Sequence, residues 1–379
     1  MARHGPLFRL CKSAEFMLGC YGSKRWLLPV TVASCTCFHF SDNPGSCQRV
    51  FHSNENASDV DYVERTLTVS TCKYLYRAWR NRHGYQNAPL EGLDVPVRYV
   101  CTTLDRAQKK DQSPRPLVLF LSGAPGSYKD FSIPTSFLLK NGVDVVALTW
   151  PDTFFSRRTN CWWHSSQEKT QLALDFLKAL NIKKLDMIVC HSSSSYVGLR
   201  LATSPELVQV MSIALLNPAT HLRPSCLNPT WAIFGCGRLF QNPLTRPLSV
   251  LLLKALTARH FVRSNSDDMM QSIHSMMLAD VNQCCRDLEV LSQMAIPMLV
   301  TISDNDKLLD FHHSVEMLAL LGKMPDTFWW YDEKEQVVQN GVDNNVKVIR
   351  FTNGSHYSFI RHHGIINKAL LHVLRQTMG

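Results

Sequence analysis

From Pro116 onward the chain alternates short, unbroken apolar runs with stretches whose apolar residues recur at helical spacing. The runs are LVLFLSG (117–123), VDVVALTW (143–150), LDMIVCH (185–191), MSIALLN (211–217), MLVTISD (298–304) and VKVIRFT (346–352). None shows the strict alternation of a half-buried strand, so each reads as a strand covered on both faces, as in a parallel sheet. The intervening segments SIPTSFLLKNG, SSQEKTQLALDFLKALNI, SSYVGLRLATSPELVQV, FHHSVEMLALLGK and GIINKALLHVLRQTM read as helices. In the second, Ser165 or Ser166 with Glu168 forms a capping-box pattern, and Leu172, Leu174, Phe176, Leu177 and Leu180 fall mostly on one face. The alternation predicts an α/β domain with a mostly parallel, doubly wound sheet.

Two intervals break this rhythm. Upstream, RTLTVST (65–71) and VPVRYVCTT (95–103) predict antiparallel edge strands, and KYLYRAWRNRHGYQNAPLEG between them reads as a surface insertion. From Pro218 to about Ala295 there is no strand pattern, only helical stretches such as PLSVLLLKALTARHFV and DDMMQSIHSMML with Pro224, Pro229, Gly235, Gly237, Pro243 and Pro247 as punctuation. A helical insertion between two strands predicts a cap over their carboxyl ends, where open α/β sheets place ligands. The expected division is a leader or extension over 1–60, edge strands and an insertion over 61–115, and a core in two parts, 116–218 and 296–379, flanking a cap at 219–295.

Composition narrows the class further. The 379 residues are 45% hydrophobic, enough for a full core, and the formal charge of +9 is spread along the chain. That charge gives a weak bias toward anionic partners, and with no nucleic-acid-binding motif beside it, nucleic acid is set aside as a partner. The thirteen cysteines are scattered, and the close pairs Cys35 with Cys37 and Cys284 with Cys285 lack the C-x-x-C spacing of a zinc or thioredoxin-type site. Mostly reduced thiols in an intracellular protein are expected.

The amino end carries Arg3, Arg9, Lys12, Lys24 and Arg25 against the single acid Glu15. An acid-poor leader of this kind is similar to an organelle transit peptide, while WLLPVTVASCTCF (26–38) is shorter than the ~20 residues a membrane span needs. A poorly packed extension remains the competing reading. Cytoplasmic and mitochondrial locations both stay open, as does the oligomeric state.

The chemistry is concentrated where LDMIVCH meets SSSSYVGLRLA. A buried strand runs straight into a helix with no loop between, so the joining residue must take a sharp, strained turn that lifts its side chain clear of the backbone. Ser192 occupies that position, with Cys190 and Ser194 two places either side.

The stretch Cys190-His191-Ser192-Ser193-Ser194-Ser195 resembles the G-H-S-x-G-G nucleophile elbow of α/β-hydrolases, and FLSGAPGS (120–127) resembles their H-G-x-P-G oxyanion loop. SDND (303–306) is similar to the G-x-x-D acid loop, and NGSHYSF (353–359) to the terminal G-x-H loop. A narrower resemblance, to a little-studied α/β-hydrolase group described mainly from nematodes, is carried by SGAPGSYKDF, HSSQE and FWWYDEKE. The resemblance implies an α/β-hydrolase fold with Ser192 as nucleophile, His356 as general base and Asp306 as the carboxylate orienting it. It also implies backbone N–H donors at Ala124 and Ser193 for an oxyanion. The chain order Ser, Asp, His is that of α/β-hydrolases. Such a serine hydrolase would cleave an ester-like, apolar or lipid-derived carbonyl substrate through an acyl-enzyme, with no metal or cofactor.

Both elbow glycines are replaced, by Cys190 and Ser194, and the usual oxyanion-loop His is Ser122. An added Cβ where strand and helix nearly touch can relax the turn and misaim Ser192, which leaves open a non-catalytic binding or scaffold protein on the same fold. Asp304 and Asp310 compete with Asp306; His362 and His363 compete with His356 but are expected on the next helix, facing solvent. His191 is expected to pack beside the turn. Finally, the cap carries Arg223, Arg238, Arg246, Lys254, Arg259 and Arg263 between Ala219 and Ser266 with no acid, so the cap or the amino end could touch an anionic lipid surface.

Overall fold

The computed structural model describes residues 62–82, 85–108, 113–257 and 266–377. The expected leader over 1–60, and Arg259 and Arg263 of the cap, lie outside the described residues.

Strands β1 (Glu64–Thr71) and β2 (Leu93–Cys101) pair antiparallel, with α1 (Lys73–Trp79) in their connection. After α2 (Thr102–Gln108) come β3 (Leu117–Leu121), α3 (Ser132–Lys140), β4 (Asp144–Leu148), α4 (Thr153–Thr159) and α5 (Ser166–Ala179). Next are β5 (Lys184–Leu185), β6 (Met187–His191), α6 (Ser195–Ala202), β7 (Gln209–Val210) and β8 (Ile213–Leu216). Helices α7 (Thr230–Gln241), α8 (Arg246–Thr257), α9 (Ser266–Met277) and α10 (Val281–Gln293) separate β8 from β9 (Met298–Ser303). The chain continues through α11 (Phe311–Leu320), β10 (Trp329–Tyr331), β11 (Val337–Gln339), β12 (Val346–Phe351), α12 (Ser358–Arg361) and α13 (His363–Arg375).

A ten-stranded sheet runs in the order β1-β2-β4-β3-β6-β8-β9-β12-β10-β11. Neighbours from β4 to β10 are parallel, and the pairs β1-β2, β2-β4 and β10-β11 are antiparallel. The expected edge strands and doubly wound parallel centre are both present. The unbroken apolar runs follow from double coverage: Leu119 and Leu121 pack with α5, α6, α10 and α11, while Val118 and Phe120 pack with α3 and α13. The cap has a small core of its own, built from Ile233, Cys236, Phe240, Leu253, Met270 and Ile273 of α7, α8 and α9. It is a helical cap on an α/β-hydrolase fold.

The structure changes two local expectations and adds two features. The segment after β1, though largely exposed, forms α1 and is anchored by buried Tyr76 and Trp79, with the Tyr76 hydroxyl donating to Glu168 at 3.0 Å. Helix α6 stops at Ala202 rather than continuing through SPELVQV, because Pro205 disfavours a helical Ser204 and Leu207 points to solvent. Gly235 and Gly237 do not interrupt the cap but lie within α7, and Gly237 leaves room for the His274 ring of α9. FWWYDEKE supplies β10, which extends the sheet past β12.

Candidate active site

Five loops meet at the carboxyl edge of the adjacent strands β3, β6, β8, β9 and β12, the position the topology reserves for a ligand. Ser192 follows β6 directly. Only the single turn Ser192–Ser194 separates that strand from α6, and Ser192 holds φ at 55°, in the left-handed region. That conformation costs a non-glycine residue about 1–2 kcal/mol and persists only where its surroundings fix it. Here the Ser192 carbonyl accepts from Ala219 N–H at 3.0 Å, and the buried strand and helix on either side leave no other path.

The turn is therefore not relaxed by the two lost glycines, and each substitution has a visible compensation. The Cys190 sulfur occupies the space that a side chain at position 198 would fill: a Cβ on Gly198 would lie 2.1 Å from it. The strand carries the side chain here and the facing helix the glycine. Ser194 donates its hydroxyl to the Ser122 carbonyl, which also accepts from Trp150 Nε1 at 2.7 Å. The second extra side chain is thus turned into a tie between the Ser192 turn and the loop after β3.

That loop passes over Ser192 at close range. A Cβ on Gly123 would meet the Ser192 Cβ at 3.0 Å and His191 Nδ1 at 3.1 Å, so a side chain there would require its neighbours to give by a few tenths of an ångström. Ala124 follows immediately. Ser193 N–H is among the first N–H groups of its helical turn and has no acceptor within that turn. Helix α9 lies against this loop, with Ser272 Oγ donating to the Ala124 carbonyl at 2.6 Å, and Gln271 donates to the Pro151 carbonyl, beyond β4, at 3.2 Å.

Asp306 and His356 come together. His356 Nδ1 is 2.8 Å from Asp306 Oδ2, and Asp306 Oδ1 accepts from the N–H groups of Leu308 (2.9 Å) and Leu309 (3.1 Å). Burial pushes the Asp306 carboxyl up, but the His356 charge and these hydrogen bonds outweigh it and hold the group below its ordinary range. An ionised carboxylate only accepts, so Nδ1 of His356 carries a proton toward Asp306. The structure does not join Ser192 to His356 by a hydrogen bond.

The rival residues are committed elsewhere. Asp304 forms a two-point ion pair with Arg350 at 2.8 and 2.9 Å, and Asp310 accepts from Ser225 N–H at 2.7 Å. His362 is buried rather than solvent-facing: its ring stacks on Phe351 at 4.3 Å and its Nδ1 meets Glu335 at 2.9 Å. His363 is exposed, as expected. His191 packs against His356, Tyr357 and Phe359, and its Nε2 also donates to the His356 carbonyl at 2.9 Å.

One participant was not anticipated. Asn217, at φ 43° just past β8, donates to Ser303 Oγ at 3.1 Å, to Asp306 Oδ2 at 3.3 Å and to the Ser355 carbonyl at 3.1 Å. It ties the loops that present Asp306 and His356 to one another. A strand-ending Asn is an ordinary turn former in sequence, and nothing local distinguishes this one.

A second polar cluster sits behind Trp150. Glu168 accepts from Ser165 N–H and hydroxyl, both at 2.9 Å, and from the N–H of Trp163 and the hydroxyl of Tyr76. The capping box thereby falls on Ser165. Burial drives the Glu168 carboxyl up, with these donors pulling back, and it drives the neighbouring Lys169 ammonium down. Lys169 donates to Ser275 Oγ at 2.7 Å and lies 5.5 Å from the centre of the Trp150 ring.

The family model described as alpha/beta hydrolase of unknown function (DUF1057) matches residues 105–358, more than half of the chain and all the loops above. The chain belongs to this family. Among solved structures, this family member is similar to haloalkane dehalogenase DbeA from Bradyrhizobium elkani, at 14% identity and a TM-score of 0.51 over 84% of this chain and 99% of that one. It is also similar to a bromoperoxidase from Bacillus anthracis, at 14% identity and a TM-score of 0.50 over 82% of this chain and 100% of that one. At such identities the likeness is one of fold. No curated protein matched the chain in sequence. Among the described residues no helix is long and apolar enough to cross a membrane.

Proposed function

We propose that this α/β-hydrolase is a serine hydrolase that cleaves an ester-like, apolar or lipid-derived carbonyl substrate through an acyl-enzyme. One observation carries the reading: the His356–Asp306 hydrogen bond of 2.8 Å at the same sheet edge as a left-handed Ser192. Ser192 Oγ would attack the carbonyl carbon as its proton passes to His356 Nε2, and Asp306 would stabilise the imidazolium through Nδ1. The developing oxyanion would be met by the N–H groups of Ala124 and Ser193. His356 then returns the proton to the departing alkoxide, and water repeats the sequence on the acyl-enzyme.

A non-catalytic binding or scaffold role is the second reading, favoured by the missing hydrogen bond between Ser192 and His356. Catalytic hydrogen bonds are often loose before substrate arrives, which is why the first is preferred. Hydrolysis of p-nitrophenyl esters of increasing acyl length by wild type and Ser192→Ala separates them. The serine hydrolase requires turnover that rises with acyl length and is lost in the variant. Equal, background-level release from both folded proteins sinks it. The kinship with the nematode group belongs to the same proposal, as do the cap boundaries at 219–295. So does an intracellular location, supported by seven buried cysteines that form no disulfide among the described residues.

A further inference from the structure

The hairpin of α7 and α8 is apolar on both sides. Inward, Ile233, Cys236, Phe240 and Leu253 fill the cap core, and Ser249 Oγ donates to the Cys236 carbonyl at 2.6 Å, so the two helices are fixed against each other. Outward, Leu248, Leu251, Leu252 and Leu256 form a stripe along α8 at helical spacing, joined by Leu244 in the connection and Trp231 on α7. Trp231 is 80% exposed, Leu244 90% and Leu251 66%. A surface helix of a water-soluble domain turns its polar side outward, and single exposed leucines are common, but an aligned stripe marks an interaction surface.

Charge decides the partner. Between Ala219 and Ser266 there is no Asp or Glu, and Arg238 on α7 and Lys254 on α8 are exposed beside the stripe. A second copy docking here by a two-fold axis would set these cations against their own counterparts with no carboxylate from this segment to answer them. An anionic bilayer supplies what both features require, phosphate or carboxylate groups at the rim and an apolar layer beneath for the leucines.

We propose that the outer face of α7 and α8 docks on the surface of a membrane containing anionic lipid. This binding does not rest on the hydrolytic reading. The test is co-sedimentation of the full chain with phosphatidylcholine vesicles, with and without phosphatidylserine. Wild type is expected to sediment with the mixed vesicles and to remain largely in solution with phosphatidylcholine alone. Arg238→Gln with Lys254→Gln should weaken binding about 30-fold and reduce its salt sensitivity. Trp231→Ser, Leu244→Ser and Leu251→Ser together should weaken it about 100-fold or more. All these side chains are exposed, so thermal melts of both variants should match wild type. The proposal fails if wild type stays in solution with mixed vesicles, or if both variants sediment as wild type does. It fails equally if wild type is a dimer in analytical ultracentrifugation that the three apolar changes dissolve, which would make the face an interface between copies.

Discussion

Adding one methyl group at Gly198 should jam the junction between β6 and α6, and removing the Cys190 sulfur should free it. The new Cβ would sit 2.1 Å from the Cys190 sulfur, an overlap that packing cannot absorb, but 3.5 Å from the Cys190 Cβ, which is ordinary contact. Cys190 is fully buried on a strand flanked by β3 and β8, so the sulfur must leave its rotamer or α6 must lift from the sheet. Overpacking of this kind costs about 1–3 kcal/mol. Cys190→Ala alone leaves a small void, at a cost of about 1 kcal/mol. In Cys190→Ala with Gly198→Ala the overlap is gone, and alanine within α6 regains about 1 kcal/mol of helix propensity over glycine. The double variant should therefore be more stable than Gly198→Ala, with a coupling of about 2 kcal/mol between the two sites. Urea denaturation of the four proteins, followed by circular dichroism, measures it. If Gly198→Ala is as stable as wild type, or if the two destabilisations simply add, the claim that a strand cysteine and a helix glycine compensate each other is wrong.

Further outcomes follow from the buried groups. Glu168→Ala should lower stability by about 3 kcal/mol or more, since the donors of Ser165, Trp163 and Tyr76 lose a buried acceptor; a midpoint within error of wild type in denaturant would contradict this. Asp306→Asn should lower kcat/KM on an ester about 10³- to 10⁴-fold while the melt is largely kept, because the amide no longer holds the proton on His356 Nδ1; retained activity would remove Asp306 from the proposed machinery. Burial pulls the His274 imidazole down to about 4 from an ordinary 6.5, so its neutral form is the folded one. Its contribution is present above pH 6.5 and is lost as pH falls through about 4, up to about 3 kcal/mol. His274→Gln should flatten the stability profile over that window, and an unchanged slope would show that the loss lies elsewhere.

The parallel centre of the sheet was legible because strands covered on both faces must be apolar at every position, which Leu117 to Leu121 and Met187 to Cys190 display. Ser192 was legible because a buried strand joined directly to a helix leaves no other residue for the bend. Asp306 was separable from Asp304 and Asp310 only by its register in a known pattern; the physical reason, that Arg350 and Ser225 claim the other two, lies 46 and 85 positions away. Distance along the chain explains the misses as well. The burial of α1 depends on Glu168, 92 positions from Tyr76, and Asn217 acts through partners 86, 89 and 138 positions away. How Cys190 is accommodated beside the turn was not legible for a similar reason, since the space it needs is set by Gly198 on the other element.

The most direct test is covalent labelling of the full chain with a fluorophosphonate, with the adduct located by mass spectrometry. An activated hydroxyl at the end of β6 predicts a single adduct on Ser192, slowed strongly in His356→Ala and absent in Ser192→Ala. A folded wild-type protein that takes no label, or takes it equally when Ser192 is alanine, would contradict the account.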